Sequence, residues 1–392
     1  MIYVGIDVAK EKHDCCILGP DGEELKDSFT FANDRKGFNE LLAAILNVLQ
    51  DGPSDQVCAG LESTGHYCTN LVAFLRANGF EPVVLNPLSV NLFRKSQTLR
   101  KTKTDKADAR FIAAMLLTSD SNPRTSVSYH IEELKVLTRS RSRLVGYRGK
   151  LKLSLTRLLD VVFPELANFV WSTNQKSVYC MLLELPNTYA IAHCRIDRLT
   201  NILSSGSHGK YDREKALEIR QAATDSIGSN SPSLAFELQQ TIRLIQNVQI
   251  ELDLLDSRIK EVVKSTETPL LTIPGIGHTL AGIILAEIGA IERFRTPAQL
   301  LAFAGMEPST FQSGKFNANQ TPMVKRGSTY LRWAVLQAAR LVAMRDQTFR
   351  DYLLKKRCEG KHFNVALSHV GKKLIRVIFH MLQNNRAFVP QS

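Results

Sequence analysis

Two short apolar runs that each end in a carboxylate constrain the fold of this chain more than any other feature. Asp7 closes the run 1–6, and Glu62 closes the run 57–61. Apolar runs of this length, bounded by turn-forming residues, are typical of buried strands. Open α/β sheets place their active sites beyond the carboxyl ends of strands. We therefore expect Asp7 and Glu62 to lie at a catalytic edge of a sheet.

A second pair of carboxylates, Asp105 and Asp108, opens a helix-like stretch. Residues three apart share one helix face, so the two side chains are expected to project together. Each of the four acids alone is more often a solvated or capping group. Together they provide the oxygen ligands that Mg²⁺ (or Mn²⁺) prefers, with room for phosphate and water. Two such ions clamp the attacking and leaving oxygens of a phosphodiester, so the set is a candidate site for phosphoryl transfer.

The first part of the chain, residues 1–125, is predicted to be an α/β domain. Three strand-like segments come first, and helices then alternate with strands, which is the order of a ribonuclease-H-like layer. The basic segment 88–104 is predicted to be a loop beside the acidic site. It either holds a nucleic-acid backbone there, through Arg100, Lys101 and Lys103, or is a solvated loop.

Two long amphipathic helices are predicted over residues 130–165 and 234–263, and we expect them to pair as an antiparallel coiled coil. The intervening segment 166–232 is predicted to be helical and carries no recognisable chemistry. The predicted architecture is therefore α/β plus α, with a central coiled-coil and helical region over 126–267 and a mostly helical C-terminal domain over 268–392.

A Pro-Gly-x-Gly turn near the start of the C-terminal domain has the form of a helix-hairpin-helix motif. Gly275 and Gly277 would expose backbone N–H groups at the start of the next helix, where a phosphate can bind. The alternative is an ordinary glycine turn between two packed helices.

The distribution of charge favours a nucleic-acid partner. The chain carries 50 Lys and Arg against 38 Asp and Glu, for a net charge of +12. Residues 134–159 hold eight of the basic residues, Arg141 and Arg143 among them, and no acid. Each Lys or Arg placed on a phosphate adds to counterion release. A generally basic protein without such a partner is the alternative.

Cysteine usage and hydropathy narrow the class of protein to which the chain can belong. The seven cysteines form no CxxC pair, which disfavours a disulfide framework or a zinc site. The first residues do not have the pattern of a signal peptide, and no apolar run is long enough for a membrane span. A cytoplasmic protein is expected.

Several hydroxyl groups lie beside cations in the segment 308–332, where Lys315, Lys325 and Arg326 are candidate phosphate contacts. A serine in such a place can attack phosphorus and hold a strand end covalently. A loop that binds phosphate without chemistry is the alternative. The residues alone do not choose the nucleophile among Ser309, Thr310, Ser313 and Ser328.

The sequence resembles the RuvC-like DEDD transposases of insertion sequences, whose better-studied members are guided by a bridge RNA. The resemblance covers nearly the whole chain, and its motifs match in order: GIDVAK with Asp7, LEST with Glu62, KTKTDKADA with Asp105 and Asp108, then PGIG, FAGMEPS, SGK, KRG and LR. The ordered set is specific although each piece alone is weak. The chain is longer than compact members, with the excess in 166–232.

The resemblance implies a mechanism and partners. The four acids of the family correspond to Asp7, Glu62, Asp105 and Asp108, which are expected to bind Mg²⁺. The serine nucleophile of the family corresponds to Ser313. Each active site would combine the RuvC-like domain of one subunit with the serine domain of another, which requires a homodimer or homotetramer. A noncoding bridge RNA would pair with donor and target DNA, so that base pairing selects the sequence.

Two other functions remain open at this point. A structure-selective endonuclease resembling a Holliday-junction resolvase would use the same acids with water as the nucleophile, and it would not need Ser313. A noncatalytic nucleic-acid-binding protein would keep its function without Asp7 or Asp105.

Overall fold

The computed structural model describes residues 1–50, 52–62, 66–85, 87–97, 105–118, 129–309, 312–313, 316–317 and 322–390. The chain divides into two compact units, Met1–Ser126 and Val127–Ser392. Within the described ranges, no helix is long and apolar enough to cross a bilayer.

The first unit contains five strands and four helices among its described residues. In chain order these are β1 (Ile2–Val8), β2 (Lys12–Leu18), β3 (Glu24–Ala32), α1 (Arg35–Leu49), β4 (Val57–Glu62), α2 (Cys68–Ala77), β5 (Val83–Leu85), α3 (Pro87–Gln97) and α4 (Asp105–Thr118). The sheet order is β3-β2-β1-β4-β5. β1 pairs antiparallel with β2 and parallel with β4. This mixed sheet is consistent with the predicted ribonuclease-H-like layer.

Helix α1 packs on one face of the sheet because its apolar residues recur at helical spacing. It begins at Arg35, where the Asp34 side chain accepts a hydrogen bond from the Gly37 N–H at 2.8 Å. Leu41 and Ile45 are buried with the strand residues Val4 and Ile6 and with residues of α2, including Leu71. Alternate residues of β1 therefore face α1 and α2.

Helix α4 packs on the opposite face of the sheet at very short range. A Cβ atom at Gly5 would lie 2.2 Å from the Ala109 carbonyl oxygen and 2.3 Å from the Ala113 nitrogen. Glycine at position 5 thus permits backbone contact between β1 and α4. Ala109 and Ala113 are small enough to keep that approach, and both are buried.

Gly5→Ala is expected to destabilise the contact between β1 and α4 by about 3 kcal/mol, because the added methyl group meets backbone atoms that cannot move independently. Amide hydrogen exchange over β1 and α4, measured by mass spectrometry, should show clearly faster exchange in both elements. Gly146→Ala is the matched control, since a Cβ atom there would meet no atom of the described residues within 4 Å. Equal protection in the two variants would contradict the close packing at Gly5.

The segment 88–104 differs in part from its prediction as a loop. Residues Pro87–Gln97 form helix α3, in which Val90 and Phe93 share one face because they lie three residues apart, and proline is well accommodated at the first turn. Arg100, Lys101 and Lys103 lie outside the described residues.

The second unit is helical apart from one short hairpin, as far as its described residues extend. Its elements are α5 (Tyr129–Val162), α6 (Lys176–Glu184), α7 (Thr188–Ala192), α8 (Ile196–Ser207), α9 (Arg213–Thr224), α10 (Pro232–Ser265), α11 (His278–Ile288), α12 (Pro297–Phe303), β6 (Gln312–Ser313), β7 (Phe316–Asn317), α13 (Thr329–Arg345), α14 (Gln347–Cys358) and α15 (Phe363–Gln383).

The two long helices, α5 and α10, pack against each other in opposite directions. Arg258 of α10 bonds to Glu133 near the start of α5, and Arg157 near the end of α5 bonds to Glu237 near the start of α10. The predicted antiparallel pairing is therefore present. A coiled coil with regular interlocking of side chains stays a prediction.

Two hydrophobic cores occupy the second unit. One joins the distal part of α5, the start of α10 and the helices α6–α9, with Phe163, Leu182 and Leu203 fully or almost fully buried. The other joins the opposite ends of the long helices to α11–α15, with Ile284 and Leu374 at its centre. The division at residue 268 stays a prediction, and the second core crosses it, because Ile259 and Val263 of α10 are buried together with residues of α11.

Candidate active site and nucleic-acid interface

Asp7 and Glu62 lie side by side at the carboxyl edge of the sheet. Ile6 of β1 is in register with Leu61 of β4, so the two acids follow directly after paired residues of parallel strands. Ile6 and Leu61 are buried on the face that packs against α1 and α2. Because side chains alternate along a strand, Asp7 and Glu62 both point to the face that α4 covers.

Helix α4 presents its N-terminus at this same edge. Its distal residue Leu117 lies 3.4 Å from the position of a Cβ atom on Gly22, in the turn between β2 and β3. That turn is at the opposite edge, because Leu18 pairs with Tyr3 at the start of β1. Helix α4 therefore runs antiparallel to β1, and its first residues, including Asp105 and Asp108, lie toward the edge that carries Asp7 and Glu62.

Asp108 is held by a cation from α3. The Arg94 guanidinium donates to the Asp108 carboxylate at 3.0 Å, and the Asp108 side chain is only 13% exposed. Arg94 also donates to Asn91 at 3.2 Å, which fixes its direction. The sequence placed Arg94 in a loop, so this pairing was not anticipated. It partly neutralises the acidic edge.

Asp14 is a further acid that the sequence analysis missed. It lies directly opposite Asp7 on the antiparallel strand β2 and is 4% exposed. Residues paired in this way project to the same face of a sheet. The Thr30 hydroxyl donates to its carboxylate at 2.5 Å. The pairing of β1 with β2 could have placed Asp14 beside Asp7. Asp14 was overlooked because it lies inside a mostly apolar run of the sequence.

The donor chemistry of this edge fits a hard divalent cation, because the four predicted ligands are all carboxylates. Asp7, Glu62 and Asp108 are each partly exposed, so solvent and phosphate can reach them. Among the described residues no group of three or more potential ligands is already close enough to hold a metal ion. The four-acid metal site therefore stays a prediction.

Ser313 lies at the end of the short strand β6 in the second unit. Its backbone pairs with Phe316 of β7, and the intervening Gly314 and Lys315 lie outside the described residues. The flanking segments also pair: the Ser309 N–H donates to the Pro322 carbonyl at 2.8 Å, and the Lys325 N–H donates to the Gly305 carbonyl at 3.0 Å. We call residues 305–325 the serine arm.

The base of the serine arm is fixed by glycines and by an arginine. Gly305 and Gly327 have φ angles of 64° and 102°, and a Cβ atom on either would lie 2.1 Å from a carbonyl oxygen of the facing segment. Arg332 donates to the carbonyls of Ala304 and Lys325. Lys325 and Arg326, both predicted phosphate contacts, are exposed at this base.

Ser328 has a structural role at the start of α13. Its hydroxyl accepts from the Leu331 N–H and donates to the Glu287 carboxylate at 2.7 Å. Glu287 also accepts two hydrogen bonds from Arg139 of α5, at 2.9 and 3.2 Å. Although burial raises the pKa of Glu287, these bonds bring it below its ordinary value. Ser328 is thus committed to a cap and to a buried carboxylate, which makes it a poor nucleophile.

The Pro-Gly-x-Gly turn lines a cleft of about 540 Å³ in the second unit. Gly275 has a φ of 98°, and a Cβ atom there would lie 2.9 Å from the Leu341 side chain. Gly277 caps α11 without a side-chain hydrogen bond, which leaves the first N–H groups of that helix for other acceptors. Arg345, which the sequence analysis did not single out, lines the same cleft. The element before the turn is a single 3₁₀ turn, Pro269–Thr272, and a helix-hairpin-helix stays a prediction.

The basic residues of α5 fall into two groups. Arg141, a predicted nucleic-acid contact, donates two hydrogen bonds to Asp256 of α10, at 2.7 and 3.0 Å. Arg143 and Lys150 are exposed and form no ion pair with a described residue, and the exposed ring of Tyr147 lies between them on the same helix face. Arg143 and Lys150 are therefore open to bind phosphate, and a phosphate contact by Arg141 stays a prediction.

Comparisons with known proteins identify the family of this chain. Two protein-family models match the chain. The DEDD transposase model of the IS110 group matches residues 4–164, and the model of the transposase IS116/IS110/IS902 family matches residues 267–354. A protein of insertion element IS116 from Streptomyces clavuligerus is 28% identical over 99% of this chain and 96% of its own length.

Two further relatives match at full length. A protein of insertion element IS900 from Mycobacterium paratuberculosis is 24% identical over 99% of this chain and 97% of its own length. A pilin gene-inverting protein from Moraxella bovis is 24% identical over 98% and 97% of the two chains. The predicted resemblance is thereby confirmed: this chain is a DNA-rearranging enzyme and belongs to the IS116/IS110/IS902 family of DEDD transposases.

Proposed function

We propose that this transposase cuts and rejoins the DNA of its insertion sequence through a covalent bond between the DNA and Ser313. The observation that carries the proposal is the meeting of Asp7, Glu62 and the start of α4 at one edge of the sheet. Carboxylates in that position suit metal-assisted phosphoryl transfer. The two matched family models cover both this edge and the serine arm.

Asp7, Glu62, Asp105 and Asp108 would hold Mg²⁺ or Mn²⁺ through their carboxylate oxygens. When bound, the ion stabilises the charge that develops on the phosphate oxygens. Arg94 has a supporting role in this proposal, because it already balances the charge of Asp108 at 3.0 Å. It would share that carboxylate with a bound cation.

The Ser313 hydroxyl oxygen attacks phosphorus and forms a phosphoserine bond, while the bond from phosphorus to the departing DNA oxygen breaks. The serine proton ends on that departing oxygen, so the step leaves a free DNA hydroxyl. A hydroxyl of the exchanged strand then attacks the phosphoserine and returns the proton to Ser313. The number of phosphodiester bonds is conserved, and no external energy source is needed.

We further propose that a noncoding bridge RNA pairs with donor and target DNA, while the protein holds the backbone. Each active site would combine the acidic edge of one subunit with the serine arm of another in a dimer or tetramer. An endonuclease with water as nucleophile is the second candidate. The relative named a pilin gene-inverting protein favours the recombinase, because inversion requires that cut ends be rejoined.

The exposed group on α5 gives a prediction about nucleic-acid binding. The double variant Arg143→Gln, Lys150→Gln is expected to weaken binding and to reduce the salt dependence by roughly one to two units of log K per log salt, because two phosphate contacts are lost. Fluorescence anisotropy with labelled DNA and RNA across a salt series measures both quantities.

Arg141→Gln is the comparison variant, because its guanidinium is already bonded to Asp256. It should lower the thermal stability of the helix pair and leave the salt dependence unchanged. If the double variant binds with the wild-type salt dependence, this face of α5 does not contact nucleic acid.

Capture of a covalent protein–DNA adduct tests the proposed function directly. The protein is expressed with the native flanking DNA of its element, denatured during the reaction, and digested for mass spectrometry. We expect a phosphodiester on the peptide that contains Ser313. Rejoined DNA with no adduct at any hydroxyl residue would instead support water or a DNA hydroxyl as the nucleophile at the acidic edge.

A further inference from the structure

Three cations surround the buried carboxylate of Glu287 at the base of the serine arm. Lys135 and Arg139 lie one turn apart on α5, and Arg293 ends the short 3₁₀ turn after α11. Arg139 donates to Glu287 at 2.9 Å, and burial together with the charges of Arg139 and Arg293 lowers the pKa of Lys135. Glu132 also faces Lys135, so two acids oppose three cations and the cluster keeps a positive charge.

Arg293 is the unusual member of this cluster. Its guanidinium lies 4.6 Å from the centre of the Phe294 ring and 4.4 Å from that of Phe303. It forms no hydrogen bond or ion pair with any described residue, and burial lowers its pKa. Removing a charge from water without a partner is costly, so charged groups in such places are normally paired. The charge of Glu287 acts on Arg293, but no described residue accepts a hydrogen bond from its guanidinium, so its donors can serve an anion from outside the chain.

Arg139 is fixed in a suitable direction for the same anion. Two of its donors bond to Glu287, and its guanidinium lies 5.1 Å from the centre of the Tyr330 ring. An arginine has five N–H donors, so this arrangement leaves others for a ligand. Planar guanidinium groups suit phosphate because they can donate two parallel hydrogen bonds.

The cluster is tied to the serine arm through short contacts. The Phe303 carbonyl accepts from the Ser328 N–H at 2.8 Å, and the Ser328 hydroxyl donates to Glu287. Phe303 therefore links Arg293 to the segment that closes the arm. The N-terminus of the long helix α13 begins at the next residue, Thr329, which adds a favourable field for an anion.

We propose that Lys135, Arg139 and Arg293 bind a backbone phosphate of duplex DNA at the base of the serine arm. The site holds the DNA beside the arm and carries no chemistry of its own. It does not depend on Ser313 being the nucleophile, because it requires only that the enzyme bind DNA. A phosphate of RNA has the same chemistry, and the experiment separates the two.

The test compares Arg293→Gln and Lys135→Gln with the wild-type chain in the absence of divalent metal, so that no reaction takes place. The probes are a short mixed-sequence DNA duplex and a single-stranded RNA of equal length, each followed by anisotropy over a salt series. Each variant should bind the duplex roughly tenfold more weakly at low salt. The slope of log K against log salt should fall by about one unit, because one phosphate contact is lost.

Arg198→Gln is the control, because Arg198 is exposed and paired with Glu184 in the helical segment between the long helices. It should bind the duplex as the wild type does. Thermal unfolding of all variants verifies the fold, and Lys135→Gln remains informative if Arg293→Gln does not fold, since Lys135 is exposed. Unchanged duplex binding in folded Arg293→Gln and Lys135→Gln would overturn the proposal, as would a loss confined to RNA.

Discussion

Ser313→Ala is expected to abolish recombination and the covalent DNA adduct, with a loss of roughly a thousandfold or more, as removal of a nucleophile causes in other enzymes. The substitution deletes the attacking oxygen and keeps the backbone pairing of Ser313 with Phe316. Folding and binding of DNA and RNA should therefore stay near the wild-type level. A plasmid recombination assay, run beside adduct detection and anisotropy, measures all three.

Two other serines of the region provide controls with different expected results. Ser309→Ala keeps its backbone bond to Pro322 and should remain active. Ser328→Ala loses both a helix cap and a bond to buried Glu287, so it should lower stability by about 1–2 kcal/mol. Recombination that persists in Ser313→Ala, or that is lost equally in Ser309→Ala, would remove Ser313 as the nucleophile.

Asp7→Asn is expected to stop the reaction by removing a carboxylate from the sheet edge. The loss should exceed the roughly 10–100-fold that removal of a supporting group around a metal costs. Asparagine has nearly the same shape as aspartate, so β1 keeps its pairing with β2 and β4. Binding of Mg²⁺ should raise the melting temperature of the wild-type chain and not that of Asp7→Asn, because a ligand stabilises only the state that binds it.

Glu40→Gln is the matched control for this prediction. Glu40 is an exposed acid on α1, on the other face of the same sheet. Its neutralisation should leave both the reaction and the effect of Mg²⁺ unchanged. If Asp7→Asn recombines DNA at the wild-type rate in Mg²⁺, the acidic edge is not the metal site, whatever the role of Ser313.

The sequence predicted most of the local structure of the first unit, because that structure depends on short-range patterns. Alternating and continuous apolar runs placed β1 and β4, and apolar residues at helical spacing placed α1 at residues 35–49. Segment 88–104 was the exception. Its basic residues suggested a loop, whereas residues Pro87–Gln97 form α3, with Val90 and Phe93 on one face.

Local sequence patterns could not predict which basic residues of the candidate site pair with acids. Residues 134–159 contain no acid, so all eight of their cations were equally good candidates for phosphate. The acids that bond to several of them belong to helices about a hundred residues away, as in the pair of Arg141 with Asp256. The same holds for Arg94 and Asp108, which meet only when α3 and α4 pack together.

By itself, the sequence predicted the four candidate acids, the candidate serines and most of the order of strands and helices, because residue type and spacing are properties of a continuous segment. Only the tertiary structure decided which partners meet. It brought Asp14 opposite Asp7, committed Ser328 to Glu287, and placed Arg293 against two aromatic rings, where no described residue accepts a hydrogen bond from it. These contacts join residues that are distant in sequence, and they form because burying apolar surface forces polar groups on different elements into a shared environment.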